Sequence, residues 1–144
     1  MKINTNNYAE VTQILQEIST LASKKINEIY SDDVKEFRKE DNSPVTVADI
    51  ESNRIIIDKL SKNFRNIKLI SEESKERSLQ GEEEFFIIDP LDGTKEFIKK
   101  NGEFTVNIAL IQKSKAVLGI VELPVSYTQY YSDGNKSYKK VKNS

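Results

Sequence analysis

Phe85-Phe86-Ile87-Ile88-Asp89-Pro90-Leu91-Asp92-Gly93-Thr94 is the stretch on which the reading of the fold turns. Four apolar residues in succession predict a buried strand covered on both faces. Asp89-Pro90 should end it, because proline lacks an N–H and biases the residue before it toward an extended backbone. A short helical pattern over 95–100 follows, so the polar residues sit on a rigid turn between a strand and a helix.

Upstream, residues 67–70 read as a short apolar strand. Ser71-Glu72-Glu73-Ser74 and a polar stretch through Gly81 and Glu84 come next, and composition predicts a mobile loop there. Thr46-Val47-Ala48-Asp49 opens a helical pattern that runs through Ile50, Ile56, Ile57 and Leu60 and ends near Phe64. Residues 33–39, with Val34 and Phe37 among charges, read as a short exposed strand before a turn at Ser43-Pro44. Over 8–29 the residues Tyr8, Val11, Ile14, Leu15, Ile18, Leu21, Ala22, Ile26 and Ile29 recur at helical spacing, which predicts a long amphipathic helix.

Downstream, residues 104–111 and 116–125 are two β patterns, and Gln112-Lys113-Ser114-Lys115 has the length of a hairpin connection. Residues 127–131 add another strand before the turn signal Ser132-Asp133-Gly134-Asn135. Lys136, Lys139, Lys140 and Lys142 read as a solvated, frayed end. Two amino-terminal helices packed on a mostly antiparallel sheet give an α+β class, with a single domain over 1–144.

Composition narrows the chemistry. The chain has 22 Lys+Arg against 23 Asp+Glu, a formal net charge of -1, and no Cys, His or Trp. Balanced charge argues against nucleic acid as a partner, because phosphate neutralisation needs a basic face. No apolar stretch approaches the roughly 18–20 residues of a membrane span, which argues against integral membrane association. The first residues show no signal-peptide pattern, so a cytoplasmic location is expected. Without imidazole or thiolate, Ser-His-Asp and Cys-His catalysis and ordinary zinc sites are excluded. Carboxylates, hydroxyls, lysines and backbone amides remain.

Asp89 and Asp92 are a carboxylate pair of the kind that attracts hard divalent cations, and Mg²⁺ is usually held by one or two carboxylates with water and substrate phosphate. Gly93 and Thr94 offer backbone N–H groups where an anion is favoured. Residue type alone favours a plainer account, an Asp-Pro turn followed by an Asp helix cap. An EF-hand loop is impossible here, since Gly93 in the sixth place would put Ile88, Pro90 and Lys99 in ligand places. No Gly is followed by Lys, so the nucleotide-triphosphate loop is absent too. Glu72 and Glu73 would reach the same rim if the 67–70 strand lies beside the 85–88 strand. Thr46-x-x-Asp49 resembles a capping box, which suffices to explain Asp49; the functional alternative makes it a further ligand or a partner of Thr94 in orienting a water.

Three ordered segments carry a more specific signal: Lys39-Glu40-Asp41-Asn42-Ser43-Pro44-Val45-Thr46-Val47-Ala48-Asp49, Ser71-Glu72-Glu73-Ser74, and Asp89-Pro90-Leu91-Asp92-Gly93-Thr94-Lys95-Glu96-Phe97. Together they closely resemble the inositol monophosphatase superfamily. The last segment, continuing through Asn101-Gly102-Glu103-Phe104-Thr105-Val106-Asn107-Ile108-Ala109-Leu110, looks like the bacterial 3'(2'),5'-bisphosphate nucleotidase branch. Inositol phosphatases more often carry Thr-Asn where this chain has Lys95-Glu96, which makes inositol monophosphatase activity the weaker alternative.

The resemblance implies a Mg²⁺-dependent phosphomonoesterase that hydrolyses adenosine 3'(2'),5'-bisphosphate, a small-molecule nucleotide phosphate, to AMP and phosphate. It implies Mg²⁺ ligation by Glu72, Asp89, Asp92 and the Leu91 carbonyl. It places Glu72, Leu91, Asp92, Gly93 and Thr94 against the substrate, and Asp49 and Thr94 at the attacking water. Only the amino-terminal part of the layered family fold is matched, and the carboxyl-terminal portion, with its Trp-Asp motif, is expected to be absent. A metal-binding remnant that is weakly active or silent, and that self-associates through the surface left uncovered, is therefore the alternative expectation.

Overall fold

Val11, Leu15, Ile18, Ala22 and Ile26 return every three or four residues, and in the computed structural model they are buried along one side of α1 (Tyr8–Tyr30). The structure describes residues 1–31, 36–38, 44–73 and 83–141. Leu21, counted in the same pattern, lies on the exposed side of α1. α2 (Val47–Asn63) buries Ala48, Ile56 and Leu60 and turns Ile50 outward.

Between the two helices, β1 (Glu36–Arg38) pairs antiparallel with β2 (Pro44–Thr46). The strand expected over 33–39 is thus present at 36–38, and its other residues lie outside the described ones. Pro44 belongs to a strand and not to the expected turn. A two-stranded ribbon consists only of edge strands, where a missing N–H is tolerated.

Among the described residues the main sheet runs β3-β4-β5-β6-β7-β8. Its strands are β3 (Lys68–Ser71), β4 (Glu84–Asp92), β5 (Thr105–Gln112), β6 (Lys115–Leu123), β7 (Thr128–Ser132) and β8 (Ser137–Val141). β3 and β4 are parallel and the other neighbours antiparallel. The α+β expectation of helices on a mostly antiparallel sheet therefore holds. Lys113 and Ser114 both adopt positive φ (49° and 66°), the conformation a two-residue hairpin needs to follow the strand twist.

Three expectations are corrected. β4 is not covered on both faces: Phe86 and Ile88 are buried beneath the helices, whereas Ile87 is 44% exposed on the opposite face. Nor does the strand end at Asp89-Pro90. It continues to Asp92 through a shift in register between Asp89 and Asp92, a bulge that absorbs the proline. The lysine-rich segment through 141 is the edge strand β8 and not a frayed end. Asp133 Oδ1 accepts from the N–H groups of Asn135 (2.9 Å) and Lys136 (2.8 Å), closing the turn, and the rings of Tyr131 and Tyr138 stack at 5.2 Å. Lys142 and most of the expected loop, 74–82, fall outside the described residues; Ser71 and Glu84 at its ends are in strands.

The helices cover one face of the sheet, where Phe86, Ile88, Val106, Ile108, Leu110, Leu118 and Ile120 form the core. Under α1 the buried Glu122 accepts through Oε1 from Ser19 (3.2 Å) and Thr20 (3.1 Å). The registers on the other face align Asp89, Asn107, Val121, Tyr130 and Lys139 in one row across five strands. That row begins at the site and ends at the sheet edge.

Candidate active site

α2 starts with the capping box the sequence announces. Thr46 N–H donates to Asp49 Oδ2 (2.9 Å), Thr46 Oγ1 donates to the same oxygen (2.6 Å), and Asp49 N–H donates back to Thr46 Oγ1 (3.4 Å). The other carboxylate oxygen is used differently. Thr94 Oγ1 donates to Asp49 Oδ1 at 2.8 Å, a contact between residues 45 positions apart. The box is therefore real and does not exhaust Asp49: the residue is fully buried, and one of its oxygens faces the β4–α3 turn.

That turn is positioned by its neighbours. α3 (Thr94–Ile98) begins after Gly93, whose φ of 98° lies in the left-handed region. A Cβ at Gly93 would stand 2.9 Å from the Glu103 carbonyl oxygen, so glycine is required there on two counts. Gly93 occupies the cap position, and the expected Asp92 cap is not formed. Phe97 and Phe104 pack edge to face at 5.2 Å with Tyr30 of α1 beside both, which pins α3 beneath the end of α1. Ser52 Oγ of α2 donates to the Pro90 carbonyl (2.7 Å), tying the bulge to the helix that carries Asp49.

The parallel pairing of β3 and β4 brings the two strand ends to one rim, as the adjacency argument required. Glu72 follows β3, and its N–H donates to the Ile88 carbonyl (3.1 Å). Burial, followed by the charges of Asp92 and Glu72, pushes the Asp89 carboxyl from 3.8 up to about 6, and Asp49 adds to the rise. An N–H bond from Leu91 opposes it. A cleft of about 310 Å³ lined by Ile70, Ser71, Glu72, Ile87, Ile88 and Asp89 opens at this rim. A larger groove, about 620 Å³, lies between α1 and the β7–β8 hairpin, remote from these carboxylates.

Glu72, Asp89 and Asp92 thus interact through their charges, although among the described residues no three acidic groups are gathered into a single ligand set. The donors are all oxygen, and two or more of them are carboxylates whose charges repel one another. That chemistry fits Mg²⁺, which needs only one or two protein carboxylates when water and phosphate complete its octahedron. Gly93 and Thr94 sit beside the pair, at the start of α3.

Two residues of the site were not singled out in the sequence. Ser52 stands three positions after Asp49, so helical spacing placed both on one side of α2. Asn107 is a polar residue in the run Thr105-Val106-Asn107-Ile108, directly across the ladder from Asp89, and its Nδ2 donates to Asp92 Oδ2 (3.3 Å).

Comparison with known proteins bears on the family and the fold. The profile described as the inositol monophosphatase family matches residues 7–143. The 3'(2'),5'-bisphosphate nucleotidase CysQ of Salmonella typhimurium is 48% identical over 104 residues, which are 71% of this chain and 42% of the relative. The crystal structure of CysQ from Bacteroides thetaiotaomicron superposes with a TM-score of 0.79 at 39% identity, over 93% of this chain and 50% of that one. An IMPase/NADP phosphatase solved with Mg²⁺ and phosphate shares the fold at a TM-score of 0.82 and 17% identity, over 92% and 51%. The chain spans about half the length of the relatives it matches.

Proposed function

Because the chain belongs to the inositol monophosphatase family, we propose that its carboxylate rim is the Mg²⁺- and phosphate-binding part of a phosphomonoesterase acting on adenosine 3'(2'),5'-bisphosphate. The observation that carries this reading is the Thr94–Asp49 hydrogen bond, which joins the metal-type turn to a buried carboxylate on another element. The name of the Salmonella relative supports the substrate. A cytoplasmic location goes with the same reading, and among the described residues no helix is long and apolar enough to cross a membrane.

In this mechanism Glu72, Asp89, Asp92 and the Leu91 carbonyl would hold the cation. When bound, Mg²⁺ would supply charge neutralisation and a lowered pKa for water at a site that has no imidazole. Asp49 is held by the two Thr46 donors and takes the Thr94 hydroxyl proton in a hydrogen bond. With its proton committed to Asp49, Thr94 Oγ1 presents its lone pairs away from that carboxylate, as an acceptor that can orient an attacking water. Gly93 and Thr94 then receive the phosphate oxygens beside Asp92.

Phosphate release from adenosine 3',5'-bisphosphate by the purified chain, with and without Mg²⁺ and with inositol 1-phosphate in parallel, tests the proposal. Metal-dependent release from the nucleotide in preference to the inositol ester is the expected result. A second reading, a catalytically silent metal-binding chain that acts through association, is favoured by the exposure of Ile87, Val121, Tyr130 and Val141 on the face of the sheet opposite α1 and α2. Metal binding without phosphate release would select it.

A further inference from the structure

Asn107 stands between the two carboxylates of the β4 bulge. It faces Asp89 in the β4–β5 ladder, and its Nδ2 donates to Asp92 Oδ2 at 3.3 Å. Its Oδ1 is buried and has no hydrogen-bond partner among the described residues. A buried acceptor without a donor is costly, and a side chain kept only for packing would avoid it. One half of the amide is thus spent on a carboxylate, and the other half is buried without a partner among the described residues.

We propose that Asn107 is a positioning residue of the cation site, holding Asp92 Oδ2 so that the other carboxylate oxygen faces the ion, and reserving Oδ1 for a donor that enters with the hydrated ion. The inference rests on the Mg²⁺-dependent reading above and assigns to this chain a residue that the ligand set itself does not include. Orientation of a ligating group by an outer hydrogen bond is commonly worth 10–100-fold in metal affinity. The orphaned oxygen is then satisfied in the loaded protein and unsatisfied in the metal-free one.

The two states separate a positioning role from a scaffolding one. Leucine has nearly the shape of asparagine with neither donor nor acceptor, so Asn107→Leu removes the bond to Asp92 and the orphan together. Titration of Mg²⁺ followed by thermal unfolding should show a metal-free midpoint equal to or above that of wild type, and an apparent Mg²⁺ affinity about tenfold or more weaker. An affinity within about twofold of wild type, or a metal-free midpoint that falls in step with affinity, would overturn the proposal. Should the leucine variant not fold, wild type decides. The Asn107 side-chain amide resonances should move along the same Mg²⁺ isotherm as the backbone amides of Asp92 and Gly93, and an Asn107 pair that stays fixed while those move overturns it. A wild-type chain whose midpoint and resonances ignore Mg²⁺ altogether overturns both this inference and the metal-dependent reading, whereas a responsive wild type with an indifferent Asn107 overturns this one alone.

Discussion

Thr94 Oγ1 donates to Asp49 Oδ1 across 2.8 Å, and this bond joins the first turn of α2 to the first residue of α3. Thr94→Val keeps the branched shape and deletes the donor. We expect turnover of the active form to fall by about 10²–10⁴-fold, the usual worth of positioned proton chemistry, with little change in apparent Mg²⁺ affinity. Asp89→Asn should lower both. Phosphate-release kinetics across a Mg²⁺ series measure the split, and equal losses of affinity in the two variants would refute a separate role for Thr94.

Asp49 also serves the fold. It receives the Thr46 N–H and hydroxyl in the interior and the half-buried Thr94 hydroxyl. Asp49→Ala strands these donors and removes a cap contact, which should cost about 1–3 kcal/mol of stability. Urea unfolding of the metal-free chain checks this, and a midpoint equal to that of wild type would contradict the network described.

Much of this arrangement could be read in the residues, and the remainder had a physical reason for staying hidden. Helical spacing located α1 and α2, and Thr46-x-x-Asp49 announced its own cap, because both signals are local. The side that Ile87 faces was misjudged because four apolar residues in a row carry no alternation to say which face is covered. The β8 strand was missed because Lys139 and Lys140 make an edge strand look like a solvated tail; lysine suits an edge for the reason that it discourages further pairing. Asn107 escaped notice because its partner across the ladder lies beyond α3, and a register separated by a helix cannot be counted from spacing.

Gly93 gives a sharp stability test. Its φ of 98° and the 2.9 Å approach of an added Cβ to the Glu103 carbonyl both penalise a side chain. Gly93→Ala should destabilise the chain by about 1–3 kcal/mol. At this length the thermal midpoint falls by about 2–4 °C for each kcal/mol. Calorimetry of the two proteins decides, and an unchanged midpoint would mean that the turn relaxes freely.

The Asp89 carboxyl predicts how the metal-free chain responds to pH. Its value is raised from 3.8 to about 6, first by burial and then by Asp92 and Glu72. The folded chain therefore binds this proton more tightly than the unfolded one. The associated stability is fully present below about pH 4 and is lost as pH rises through about 6. In the absence of metal, the wild-type thermal midpoint should decline across that window relative to Asp89→Asn, which lacks the titrating group. Mg²⁺ added above pH 6 should reverse the decline. Parallel pH curves for the two proteins would show that Asp89 titrates normally.

The face of the sheet opposite α1 and α2 yields the last expectation. Ile87 (44%), Val121 (38%), Tyr130 (45%) and Val141 (59%) are large apolar residues exposed on that one side. The row through Val121 and Tyr130 ends in the Asp89 carboxyl on β4 and in the Lys139 ammonium on β8, whose Nζ lies 5.7 Å from the Tyr130 ring centre. A two-fold axis parallel to the strands would set each Asp89 opposite the Lys139 of a second copy, with apolar side chains meeting between them. Such a surface is self-complementary in both charge and hydrophobicity. We therefore expect concentration-dependent dimerisation of the metal-free chain, weakened by salt through the charged ends and by Mg²⁺ through competition for Asp89. Val121→Asp places a charge at the centre of the row and should give a monomer with an unchanged circular dichroism spectrum, while Lys139→Glu should weaken association without abolishing folding. Sedimentation equilibrium on the three proteins tests this. A wild-type chain that stays monomeric, or an association that persists in Val121→Asp, would assign the face no role in self-association.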